Sequence, residues 1–164
     1  MEMIILYAAL LDMVLGDPRF IPHPVVYMGK AISQGEVFIR RHFTAAGALQ
    51  WAGAGLTVII VSGSFIFFWV ILWLAYKINM IMGTILSVFL MSQALAMNSL
   101  YRHARSVAGP LARGDLTAAR QALGMIVGRD TDKLDESEII RGTVETVAEN
   151  TVDGIIAPLF YGLI

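Results

Sequence analysis

Residues 144–154 read VETVAENTVDG, in which Glu145, Glu149 and Asp153 recur at intervals of four. On an α-helix that interval stacks three carboxylates along one side, about 6 Å apart per step. Like charges so placed repel one another and weaken the helix unless a cation joins them. A solvated helix face outside the bilayer is one reading. The other is a Mg²⁺ site, because this hard cation takes one or two carboxylates and leaves its other positions to water and phosphate oxygens. Position favours a site: the run leads directly into IIAPLFYGLI, and ionisable groups at a membrane are costly and usually functional. Asn150 stands beside the carboxylates.

Two further clusters carry polar chemistry. In VGRDTD, residues 127–132, Gly128 permits a sharp turn and Arg129 offers a forked donor for phosphate or carboxylate. Asp130 and Thr131 bind a cation or cap a turn; an exposed Arg-Asp pair worth under about 1 kcal/mol is the plainer alternative. In GDPRFIPHPVVYMG, residues 16–29, Pro18, Pro22 and Pro24 end the first helix and hold the backbone extended. This presents Asp17 and His23 on a stiff, non-helical ribbon. One His and one Asp do not make a zinc site, which wants three or four ligands.

The elements that must position these groups are membrane elements. The 164 residues are 57% hydrophobic and only 15% charged, against about a quarter charged in soluble domains. A net charge of -1 argues against a nucleic-acid partner, and the absence of cysteine removes disulfides, thiolate metal sites and Cys nucleophiles. Residues 52–76 and 78–100 carry no charge, and each meets the length of about 20 apolar residues needed to span a bilayer. Only Lys77 separates them, which predicts a tight helical hairpin with Trp69, Trp73 and Tyr76 as an interfacial belt. The run 3–15 is shorter and carries Asp12, so it spans with thinning or enters partway. A fourth apolar run, 155–164, is still in progress at Ile164, so the chain is expected to be the N-terminal portion of a longer protein, inactive alone.

Lys and Arg counts set the orientation. Segment 16–51 holds Arg19, Lys30, Arg40 and Arg41, and 101–143 holds seven basic residues, against Lys77 alone at the hairpin tip. Segments 16–51 and 101–154 are therefore expected to face the cytoplasm. Within the second, Asp115 reads as the N-cap of a short amphipathic helix. Asp135 with Glu138 three residues on reads as a capping box opening a helix that runs through VETVAENTVDG. The fold class this predicts is an all-α, polytopic helical membrane protein with cytoplasmic helical loops, residues 1–164 forming a single membrane-embedded domain.

Taken in order, GDP and PHPVVYMG after a first apolar helix, then VGRDT, then VETVAENTVDGIIAPLFYGL, the sequence resembles the CobD/CbiB family of cobalamin-biosynthesis membrane proteins, the adenosylcobinamide-phosphate synthases. The resemblance spans essentially the whole chain. It implies an ATP-dependent ligase that joins a carboxylate of adenosylcobyric acid to the amine of aminopropanol phosphate, with Mg²⁺ as cofactor and ATP as co-substrate. On that reading Glu149 and Asp153 take Mg²⁺ with Glu145 and Asn150 in support, and Arg129, with Thr131, binds the nucleotide phosphates. Asp130 and Asp17 take a second metal or the amine, and His23 orients a ligand or fixes the PHP turn. With no Walker-type glycine loop, the nucleotide is held in some other way. Implied partners are the corrinoid, aminopropanol phosphate, the lipid bilayer and other membrane-associated proteins of cobalamin biosynthesis, but no nucleic acid. The implied location is a bacterial or archaeal cytoplasmic membrane, with several passes and the motif loops facing the cytoplasm. Family relatives tied to ampicillin-resistance regulation make a non-catalytic membrane sensor the alternative. A transporter would be favoured if Asp12 and Asp153 lined one continuous path across the bilayer.

Overall fold

A computed structural model of the chain describes residues 2–16, 24–128 and 130–163, and every described element is a helix. Met1–Asp17 with Val88–Ile164 form one compact unit, and Pro18–Ser87 form a second.

In the second unit, α2 (Pro24–His42) and α3 (Ala46–Ile78) pack side by side. Pro24 opens α2 instead of prolonging an extended ribbon, because at the first helical position proline's missing N–H and fixed φ cost nothing. Helix α2 runs antiparallel to α3: Met28 shares a groove with Gly63 and Phe67, and Ile39 shares one with Leu49 and Gly53. Gly35 allows the close approach, since a Cβ there would lie 2.6 Å from Leu56 Cδ1. Helix α3 begins before the expected residue 52 and has 33 residues, about 50 Å of helix against a hydrocarbon core of about 30 Å. Lys77, in its last turn, holds its ammonium 5.6 Å from the Trp73 ring centroid.

The sequence predicts a tight hairpin at Lys77, and the structure differs. Asn79 alone joins α3 to α4 (Met80–Ala94), with extended φ and ψ of -160° and 135°. Antiparallel helices need a loop of about two to five residues, and here one residue makes the joint. Their described contacts are at the joint: Tyr76 lies on Gly83, and its hydroxyl is 3.1 Å from Ser87 Oγ.

The second apolar run also departs from expectation. Met80–Ala112 is long and apolar enough to cross a membrane, as is Ala46–Ile78. It is not one helix, however: α4 stops at Ala94, and α5 (Met97–Ala112) starts after a break at Leu95 and Ala96.

In the first unit, α5 packs on α6 (Leu116–Gly124) and α7 (Glu136–Thr151). Val107, Ala119, Leu123 and Ile139 form its fully buried core, with Leu111, Leu116, Ile126 and Leu134 against it. Both sequence-read caps form. Asp115 accepts from Ala118 N at 2.9 Å, after Gly114 turns the chain with φ +72°. Asp135 Oδ1 accepts from Glu138 N at 2.8 Å while Glu138 Oε2 accepts from Asp135 N at 2.9 Å, closing a reciprocal box. Asp135→Ala is expected to destabilise this unit by about 1 kcal/mol. Thermal unfolding of the detergent-solubilised protein checks this, with Asp135→Ser expected to restore the wild-type midpoint.

Helix α7 does not pass straight into α8 (Ala157–Leu163). Val152–Ile156 forms a π turn between them, in which Ala157 N–H bonds to Val152 O. Such turns are rare and concentrate at functional sites. The remaining helix, α1 (Glu2–Leu15), packs against α5 and α8, with Ala8 and Asp12 buried.

Candidate functional site

Helix α7 carries the carboxylates as far as the π turn. Glu145 and Glu149 keep the α-helical interval, whereas Asp153 lies inside the π turn, where bonds reach five residues back. The uniform stacking predicted for all three therefore ends at Glu149. Arg141 supplies the cation at the start of the row, its Nε 3.1 Å from Glu145 Oε1. Both groups are more than half exposed, so the pair is worth under about 1 kcal/mol. Glu149 and Asp153 are exposed and make no hydrogen bond or ion pair among the described residues. Among those residues, no three His, Asp or Glu side chains converge as a metal cage.

One step along the helix from each carboxylate, Asn150 and Gly154 face a pocket of about 330 Å³. Its second wall is α5, through Ser99, Leu100 and His103, and its third is Met125 and Ile126 after α6. The size is at the lower end for small-molecule pockets, enough for a small ligand or one part of a larger one. Asn150 Nδ2 donates to Thr146 O at 2.8 Å, which fixes the carboxamide against the helix.

The VGRDTD loop is tied to α6. Thr131 is buried and donates from Oγ1 to Arg120 O at 3.0 Å, while Arg120 Nε donates to Leu134 O at 2.7 Å. The Thr131 hydroxyl is thus committed to holding the loop. Asp130 is exposed and closes a tight turn, its Oδ1 accepting from Asp132 N at 3.0 Å. Asp17, His23 and Arg129 lie outside the described residues.

Sequence reading missed Ser99, His103 and Thr146. A signal was available: Ser99 and His103 are four apart, as are Thr146 and Asn150, so each pair forms a polar rung on one helix face. Asp12 serves a local structural role. It is buried, 2% exposed, and its Oδ2 accepts from Met97 N at 2.8 Å and Asn98 N at 3.2 Å, at the start of α5.

Comparison with known proteins places the chain among relatives. A cobalamin biosynthesis protein CobD from Halalkalibacterium halodurans is 42% identical over 160 residues, which cover 98% of this chain and 49% of that protein. The CobD of Listeria monocytogenes serotype 4b is 46% identical over 152 residues, 93% of this chain and 48% of that one. The cobalamin biosynthesis protein CbiB of Salmonella paratyphi B is 43% identical over 154 residues, 94% and 48%. The chain spans about half the length of the curated relatives it matches. No solved structure matches. The CobD/CbiB protein family matches residues 5–164, so every helix, pocket wall and carboxylate described above falls within a chain that belongs to that family.

Proposed function

We propose that this chain forms part of a ligase of cobalamin biosynthesis that joins a carboxylate of adenosylcobyric acid to the amine of aminopropanol phosphate, giving adenosylcobinamide phosphate. The supporting observation is the exposed pair Glu149 and Asp153 at the α7 to π-turn junction, without partners among the described residues, beside a pocket lined by the next residues, Asn150 and Gly154. The reaction transfers the γ-phosphoryl group of ATP to the carboxylate, forming an acyl phosphate and ADP. The amine then forms the C–N bond as phosphate leaves and a proton is released. Phosphoryl transfer needs positioning and charge neutralisation more than covalent help from the protein.

The residues present suit Mg²⁺, which takes one or two carboxylates and fills its shell with water and phosphate oxygens. Glu149 and Asp153 would hold it, and it would neutralise phosphate charge. Glu145, tethered by Arg141, supports them, and Asn150 orients the ligand in the pocket. Arg129 holds phosphate, and Asp130 and Asp17 take the amine or a second metal. Thr131 serves by holding the loop that carries Arg129 and Asp130, and His23 orients a ligand or fixes its turn. The apolar runs 52–76 and 78–100 cross the cytoplasmic membrane, with the basic segments 16–51 and 101–154 on the cytoplasmic side, where ATP is available.

The test uses membranes containing the complete gene product, supplied with ATP, Mg²⁺, adenosylcobyric acid and aminopropanol phosphate. Mass spectrometry should show one amide formed per ADP released. Absence of amide with a folded, membrane-inserted protein would overturn the reading and favour the sensor.

A further inference from the structure

The break between α4 and α5 is held by groups distant in the sequence. Its own N-cap residue, Ala96, has no side-chain oxygen, and no side chain of its own segment caps α5. A helix start leaves backbone N–H groups without partners, and in an apolar setting each must find one. Asp12, at the end of α1, accepts those of Met97 and Asn98. The N–H of Ala96 points the other way and donates to Gly154 O, in the π turn, at 2.9 Å. Asn98 Nδ2 in turn donates to Met13 O at 2.7 Å.

Two glycines let these three segments meet. Gly16 ends α1 at φ +57°, and a Cβ there would lie 2.8 Å from Asn98 Oδ1. A Cβ on Gly154 would lie 3.0 Å from that of Ala96. Each glycine adjoins a residue assigned to the chemistry: Asp17 follows Gly16, and Asp153 precedes Gly154. Ala96 and Gly154 also wall the pocket.

We infer that Asp12 is a positioning residue, whose buried carboxylate pins the start of α5 to the end of α1 and so sets, through the Ala96 to Gly154 hydrogen bond, where the π turn presents Asp153. For its effect on activity this rests on the ligase reading above; for its effect on structure it does not. Both N–H groups donate to one oxygen, Oδ2, and an Asn side chain meets them with a neutral amide oxygen, so two charge-assisted hydrogen bonds become ordinary, weaker ones. Small misplacements of reacting groups cost about 100-fold in rate, so the loss should appear in kcat and not in substrate binding.

The experiment compares the complete wild-type protein in membranes with Asp12→Asn. Hydrogen exchange is expected to accelerate at least about 10-fold at residues 95–98 and 152–157, with α6 unchanged. The ligation kcat should fall at least about 10-fold with KM for each substrate within about 2-fold. Unchanged exchange at the junction, acceleration spread through α6, or a loss confined to KM would overturn the inference. If wild-type protein ligates nothing, the ligase reading fails while the exchange result still decides the role of Asp12. Should Asp12→Asn fail to accumulate, Gly154→Ala, which crowds the same junction from its other side, must reproduce the local exchange and the kcat loss, and its failure to do so would overturn the inference equally.

Discussion

Glu149→Gln and Asp153→Asn are each expected to lower amide formation by the complete protein about 100-fold or more, the scale seen when one charge-stabilising group is removed from a transition state. Both replacements are nearly isosteric, and both carboxylates are exposed without a partner among the described residues, so neither should change thermal unfolding or membrane content. Loss of rate at constant stability is what separates a working carboxylate from a solvated one. Raising Mg²⁺ should recover part of the loss in each single variant and none in the double variant. Steady-state ADP release coupled to amide formation checks this, and wild-type rates in both single variants would sink the assignment. Glu145→Gln provides the internal contrast. Its carboxylate already meets Arg141 3.1 Å away, so a smaller loss, about 10-fold or less, is expected there.

Leu123→Ala and Ile139→Ala are each expected to destabilise the first unit by about 2–5 kcal/mol, the range for removing a fully buried large aliphatic side chain. The magnitude matters because, among the described residues, the fully buried cluster under α5, α6 and α7 is small: Val107, Ala119, Leu123 and Ile139. Deleting one leaves a cavity that the ring of half-buried neighbours, Leu111, Leu116 and Ile126 among them, can fill only partly. Leu123 lies two residues before Met125, so collapse there also moves a pocket wall. Thermal unfolding in detergent should show a clear drop for both variants and little change for Met125→Ala, whose side chain is 86% exposed. Equal midpoints for all three would mean that this cluster is not the core.

Local chemistry was legible in the sequence wherever a side chain closes on its own neighbourhood. Asp115 and the Asp135 and Glu138 pair announce helix starts because the groups they satisfy lie three residues away. The polar character and helical setting of VETVAENTVDG were legible for the same reason. What could not be read depends on residues far apart. Nothing in MSQALAMNSL, with neither glycine nor proline, marks a break after Ala94; the break exists because Asp12 and Gly154 supply what a continuous helix would have supplied internally. Helix α2 was hidden by its prolines, since Pro24 reads equally as the end of an extended ribbon or the first residue of a helix. The pocket was hidden because Ser99 and His103 gain meaning only when Thr146 and Asn150 are brought opposite them.

The junction at Ala96 also has a history within each molecule. Chains are made from the N-terminus, and domains fold as they emerge. Asp12 is already present when Met97 and Asn98 are synthesised, so the start of α5 can be capped at once. The carbonyl of Gly154 comes much later, and until then the N–H of Ala96 lacks the partner it has in the finished fold. In the growing chain, therefore, only one of the junction's two fastenings is available until Gly154 is made, and the segment that carries Glu149 and Asp153 brings the other.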